Sequence, residues 1–155
     1  MKALFKGLAL LAFAGFVSSS AVAAERATAE EATALVKKAV AYIKANGKEK
    51  AFAAINDPKG QFVDRDLYIF VYDMKGTNMA IGNGNASKMN GKNLMDLRDA
   101  DGKYIIKGFI DLLGTKNGGW FDYKWPNPVT KAVEAKSSYV EKVDDLIVGA
   151  GIYKQ

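Results

Sequence analysis

One short segment constrains this chain more than any other. From Leu67 to Tyr72 the apolar period is two, with Leu67, Ile69 and Val71 on one face and Tyr68, Phe70 and Tyr72 on the other. The spacing predicts a strand whose second face is aromatic. Its rings either fill a core between a sheet and helices or line a cavity for a small organic ligand, and Phe121, Tyr123 and Trp125 pose the same choice further along. Asp73-Met74-Lys75-Gly76-Thr77-Asn78 carries hairpin-turn residues, and Met79-Ala80-Ile81 returns as a short strand.

Helical periods precede this hairpin. Ala32, Leu35, Val36, Ala39, Val40 and Ile43 recur at i, i+3, i+4, i+7, i+8 and i+11, with Thr28 and Glu31 at capping-box spacing and Asn46-Gly47 as the stop. A second, shorter helix is expected from about Lys48 to Ile55, closed by Asn56-Asp57-Pro58. Residues 82–93 hold three glycines and four asparagines with almost nothing apolar, and are expected to form a loop. A third helix carries Ile106, Phe109, Ile110 and Leu113, with Asp99 and Asp101 expected at its start and Gly114 at its end. Three antiparallel strands then read as 120–125, 132–143 and 146–153, separated by Pro126-Asn127-Pro128 and Asp144-Asp145. The order of elements predicts one α+β domain over residues 25–155, long enough to bury its own core.

Residues 1–24 read as a secretory signal peptide. Lys2 and Lys6 precede an apolar run from Gly7 to Val17, followed by Ser18-Ser19-Ser20 and the small-residue site Ala21-Val22-Ala23-Ala24. That run is well short of the roughly 20 residues a spanning helix needs, so no stable membrane insertion is expected after cleavage. Cleavage lowers the formal net charge of +5 by two. The remaining lysines are scattered, which argues against a nucleic-acid partner.

The chain has no cysteine and no histidine. Disulfides, thiolate or imidazole metal sites, cysteine nucleophiles and histidine triads are thereby excluded. Asp99, Asp101 and Gly102 resemble part of a calcium loop, but Leu97 stands where an acid or amide is needed and no glutamate closes it. No spacing places two of Asp122, Asp144 and Asp145 around a scissile bond. The expectation is a protein with no catalytic residues, no metal and no cofactor. An anionic ligand would need a cation beside the aromatic strands, for which Lys124, Lys131 and Lys136 are the candidates. Regular strand parity puts Lys136 and Tyr139 on opposite faces unless a bulge intervenes.

Several stretches, in order, resemble the single Cache domain, the PAS-like extracytoplasmic sensor module of bacterial chemoreceptors and kinases. They are Leu67-Tyr68-Ile69-Phe70-Val71-Tyr72-Asp73, Gly91-Lys92-Asn93-Leu94, Asp99-Ala100-Asp101-Gly102-Lys103, the run from Gly118 to Pro128, Lys136-Ser137-Ser138-Tyr139-Val140, and Gly149-Ala150-Gly151-Ile152-Tyr153. The resemblance implies an antiparallel sheet of about five strands with a long N-terminal helix packed on it and a pocket on the opposite face. It further implies a small organic acid of the acetate, propionate, lactate or pyruvate class as ligand. Carried over position by position, the pocket draws on Tyr68, Tyr72, Met79, Trp120, Tyr123, Trp125, Lys136 and Tyr139, with Lys136 as the carboxylate partner. Many relatives have histidine followed by proline beyond the second strand, where this chain has Ile81-Gly82-Asn83-Gly84. Modules of this kind are flanked by transmembrane helices and signalling domains. The expectation here is a free-standing exported protein, periplasmic or fully secreted, that binds a small acid; the alternative is an adaptor for a membrane-bound chemoreceptor or kinase.

Overall fold

The computed structural model of the chain describes residues 25–154, so the expected signal peptide lies outside the described residues. Helix α1 spans Ala29–Asn46 and starts with a reciprocal cap. Thr28 Oγ1 accepts from the Glu31 amide at 3.2 Å and Glu31 Oε2 accepts from the Thr28 amide at 2.8 Å. Two otherwise unpaired amides are satisfied in this way. Gly47, with φ at 80°, ends the helix by donating to Ile43 O, and α2 follows directly over Lys48–Asn56.

Strands β1 (Val63–Asp64), β2 (Leu67–Asp73) and β3 (Asn78–Ile81) precede helices α3 (Ala86–Met89) and α4 (Ile105–Thr115). Strands β4 (Gly118–Pro126), β5 (Val133–Val143) and β6 (Leu146–Tyr153) complete the chain. The pairings are antiparallel in the order β1-β2-β6-β5-β4, and β3 shares with β1 the outer edge of β2. The sheet thus has six strands. The additional one, β1, is a two-residue strand too short to show a period.

The two faces of β2 do what their side chains dictate. Leu67, Ile69 and Val71 pack with Val36, Ala39 and Ile43 of α1 and Ile55 of α2, whereas Tyr68, Phe70 and Tyr72 pack with Ile106 and Phe109 of α4. Strand β6 lies between β2 and β5 and is buried along nearly its whole length. Its glycines make room on the α4 side. A side chain at Gly149 would run into the Phe70 ring, and one at Gly151 would meet the Ser138 hydroxyl and the Lys136 stem.

Two local expectations are corrected. The segment 82–93 contains the single-turn α3, and it is tied down by Asn78 N to Lys92 O at 3.0 Å and Gly91 N to Asn78 O at 2.8 Å. Asp99 and Asp101 do not start α4, which begins at Ile105 after Tyr104. Asp99 instead closes a turn, accepting from the amides of Asp101 and Lys103 at 3.0 and 2.8 Å, and fastens it to β4 by accepting from the Lys124 amide at 2.9 Å. A carboxylate with several local amides in reach forms such a turn in preference to a helix start. Among the described residues no helix is long and apolar enough to cross a membrane.

Candidate functional site

Lys136 stands on β5 opposite Tyr153 of β6, with 1% of its surface exposed. Its ammonium donates to Tyr68 Oη at 2.8 Å and to Tyr153 Oη at 3.3 Å. It lies 4.1 Å from the centre of the Tyr68 ring and 4.8 Å from that of Tyr153, so the rings add cation–π attraction. None of the ion pairs among the described residues includes it. Burial pushes the Lys136 pKa down, and the neighbouring Tyr68 phenol opposes that fall. The charge of buried Asp66 also opposes the fall, but Asp66 makes no ion pair with Lys136, so the ammonium has lost its hydration with phenols as its only direct partners.

The hydroxyl geometry leaves one proton to spare. Tyr153 Oη donates to Pro126 O at 2.9 Å while accepting from Lys136. Tyr68 Oη accepts from Lys136 at 2.8 Å, and the Tyr153 oxygen is 3.5 Å away. The Tyr68 O–H, polarised by the ammonium behind it, is therefore the donor with the least committed partner. Tyr123 Oη lies 2.9 Å from Ser138 Oγ, and burial raises the Tyr123 pKa well above the ordinary phenol value.

Tyr68 and Tyr123 border a cavity lined also by Phe70, Tyr72, Ile81, Leu97, Ile105, Phe109 and Trp125. Its free volume is about 10 Å³, on the order of one water molecule. It is narrow because Phe70 and Phe109 stack across it at 5.5 Å, with Tyr123 edge-on to Phe109 at 5.7 Å. Lys136 stands behind Tyr68, outside this wall.

Of the eight residues expected at the pocket, Tyr68, Tyr72, Tyr123 and Trp125 line the cavity and Lys136 abuts it through Tyr68. The other three are not brought there. Trp120 and Tyr139 are cross-strand partners with ring centres 5.6 Å apart, and Trp120 borders a shallow groove with Ala29, Thr33 and Lys37 on the α1 side. The β5–β6 register is unbroken from Lys136 to Val143, so no bulge rotates Tyr139 onto the face of Lys136. Met79 falls at the register shift between β2 and β3 and packs against the α1-side core. Lys124 pairs with Asp101 at 2.9 Å, and Lys131 donates to Pro128 O at 2.6 Å, both exposed. The residues the sequence reading missed are Ile81, Leu97, Ile105 and Phe109 on the wall, and Tyr153 at the ammonium. Only Ile105 and Phe109 carried a usable signal, their i, i+4 spacing on one helix face.

Residues 18–155 match the family described as Single Cache domain 2. The chain is 36% identical over 91 residues to the sensor histidine kinase MctS of Rhizobium johnstonii, covering 57% of this chain but only 19% of the kinase. A crystal structure of a methyl-accepting chemotaxis protein from Vibrio parahaemolyticus superposes with a TM-score of 0.69 at 30% identity, over 80% of this chain and 86% of that one. A Cache chemosensory domain solved as the structural basis for carboxylic acid recognition gives 0.68 at 22% identity, over 81% and 92% of the two chains, a likeness of fold. The chain belongs to the Single Cache domain 2 family and is a PAS-like extracytoplasmic sensor domain, homologous to chemotaxis sensor modules.

Proposed function

We propose that this domain is a non-enzymatic periplasmic sensor that binds a small organic acid of the acetate, propionate, lactate or pyruvate class, exported by the signal peptide at residues 1–24. The observation that carries this reading is the buried Lys136 ammonium, held by Tyr68 and Tyr153 and by no carboxylate among the described residues, directly behind an aromatic cavity. A carboxylate entering that cavity accepts from Tyr68 and adds a counter-charge for Lys136 beyond that of Asp66, which forms no ion pair with it. Tyr72, Tyr123 and Trp125 enclose the short carbon chain. The relative solved with carboxylic acid recognition as its subject supports the choice of ligand class.

A two-carbon acid exceeds the present free volume, so binding separates Phe109 of α4 from Phe70 of β2. The ligand thereby favours a more open arrangement of α4 and the Leu97 turn, which is the differential contact a sensor requires. A thermal-shift panel of two- to four-carbon acids at millimolar concentration tests this. Stabilisation by at least one acid, absent in Lys136→Met, is expected; no shift with any acid in the folded wild type contradicts it.

A second reading, docking onto a membrane-bound chemoreceptor or kinase without a small ligand, is favoured by the Trp120 and Tyr139 pair, whose indole is 39% exposed beside α1. Crosslinking in envelope membranes distinguishes it: a receptor or kinase adduct that is lost in Trp120→Ala supports docking, and no adduct contradicts it.

A further inference from the structure

Two residues of the cavity wall reach the surface. Seven of the nine are buried, and Leu97 and Trp125 are partly so. The Leu97 backbone is tied on both sides, its amide donating to Leu94 O at 2.9 Å and its carbonyl accepting from the Ile105 amide at 3.1 Å. Trp125 also lines a second, open cleft of about 390 Å³, a volume in the range of small-ligand sites. The 83–89 segment forms one side of this cleft and the β4–β5 turn, 126–131, the other. The cleft lies at the Lys136 end of the cavity, because Tyr153 Oη, which accepts from Lys136, donates to the carbonyl of Pro126 on the cleft wall.

The polar lining of the cleft suits an anion. It consists of Asn83, Asn85 and Asn127 with one charged residue, Lys131, and no carboxylate. Two other surface depressions differ: the α1 groove at Trp120 carries Glu30 with Lys37, and the hollow beside Lys154 carries Asp99, Asp101 and Asp122. Lys131 is exposed, and its ammonium donates to a neutral group, Pro128 O, at 2.6 Å. A carboxylate replaces that carbonyl with a stronger, charge-assisted hydrogen bond. The Lys131 backbone is left-handed, with φ at 64°, a conformation that glycine or asparagine adopts at less cost than lysine. The turn alone therefore does not account for a lysine at this position.

Between cleft and cavity stands a side chain, not a strand. Trp125 pairs with Glu134 across β4 and β5, and Pro126 is held by Tyr153, so the backbone at this boundary is fixed. The indole stands edge-on to Tyr123 with ring centres 6.3 Å apart, and it is the one ring of the cavity wall that is not fully buried. Rotation about its side-chain bonds joins cavity and cleft without breaking a strand hydrogen bond. We propose that a small carboxylate enters through the cleft between residues 83–89 and 126–131, with Lys131 as its docking cation and the Trp125 indole as the gate to the cavity. This rests on the carboxylate reading above and adds an outer subsite and a route to it. Lys131 acts on encounter and is left behind by the bound acid, so its charge sets the association rate. The gate is crossed in both directions, so an obstruction there slows entry and exit alike.

The test is stopped-flow fluorescence of the mature Trp120→Phe protein, in which Trp125 is the one remaining indole. It is mixed in turn with acetate, propionate, lactate and pyruvate, and calorimetry gives the affinities. The emission of Trp125 is expected to change on binding. Lys131→Gln is expected to lower the association rate roughly threefold and leave dissociation unchanged, whereas Lys154→Gln, on the aspartate-lined hollow, changes neither. Because the chain has no cysteine, Asn85→Cys directs a bulky maleimide to the cleft alone. That label is expected to slow association and dissociation together by roughly tenfold or more, with affinity held within about twofold. The same label on Lys37→Cys, in the α1 groove, is expected to change neither rate. Calorimetric binding with no change in Trp125 emission overturns the proposal and leaves the carboxylate reading standing. So does an unaltered association rate in Lys131→Gln or in the protein labelled at position 85. Failure of the folded wild type to bind any of the four acids overturns both readings.

Discussion

The two faces of the sheet are built from different materials. On the α1 side, Val36, Ala39, Ile43, Ile55, Ile69, Val71 and Val148 form a dry aliphatic layer. On the α4 side, five aromatic strand residues enclose a cavity with Phe109, and Lys136 is buried on that side without an ion-pair partner among the described residues, with Asn78 buried beside Tyr72. The same strands serve both faces, so neither strand propensity nor connectivity explains the contrast. One face is packed for stability, and the other retains buried polar groups that lower it, as expected where function competes with stability.

Substitutions on the two faces should therefore have opposite signs, and the largest effect belongs to the aliphatic side. Ile69→Ala removes a fully buried side chain beneath α1 and is expected to cost about 2–5 kcal/mol in chemical denaturation. An unchanged midpoint would show that this face is not the principal core. Lys136→Met, which replaces a buried, unpaired ammonium with an apolar chain of similar length, is expected to raise stability by about 1–4 kcal/mol. A loss of that size would mean that the phenols already compensate the charge. Asn78→Leu is expected to add about 1–3 kcal/mol to the ligand-free protein by removing a buried amide beside Tyr72, and a decrease would show that Tyr72 already satisfies that amide.

The smallest effect is one of pH. The folded pKa of Lys136 lies below the lysine value of 10.5 because of burial, so the ligand-free protein gains stability as pH rises through that folded pKa and the charge is lost. A bound carboxylate needs the charged form, so acid affinity falls over the same range, beginning below pH 10.5. Titration over a series of pH values below 10.5 measures this, and affinity independent of pH across the series would remove the Lys136 charge from binding. At the acid end, Arg26 and then Thr130 hold the Glu134 carboxyl down to about 2. Its contribution is present at neutral pH and is lost as pH falls from 4.5 through about 2, which Glu134→Gln abolishes.

The contrast between the faces was half legible in the sequence. The alternation from Leu67 to Tyr72 assigned each side chain of β2 to a face, because a regular strand leaves no other choice. The Thr28–Glu31 box and the spacing through Ile43 fixed α1 in the same way. Trp120 and Tyr139 entered the expected site by resemblance, against their odd separations from Tyr123 and Lys136, and parity proved the better guide. Leu97 reaches the wall from a turn, where no period speaks, and Tyr153 reaches Lys136 only through the β5–β6 register, which the sequence does not display. Asn78 read as the last residue of a turn. Its burial depends on β3 pairing with β2 and on the return of residues 91–92 over its backbone.

The proposed sensor rests on an external acid that completes the charge of Lys136. Native mass spectrometry of the mature protein in millimolar small organic acid tests it most directly. The expected result is a discrete adduct of one acid per chain, lost on denaturation and absent from Lys136→Met. A bare polypeptide mass for the wild type with every acid, or an adduct that persists undiminished in Lys136→Met, would contradict it.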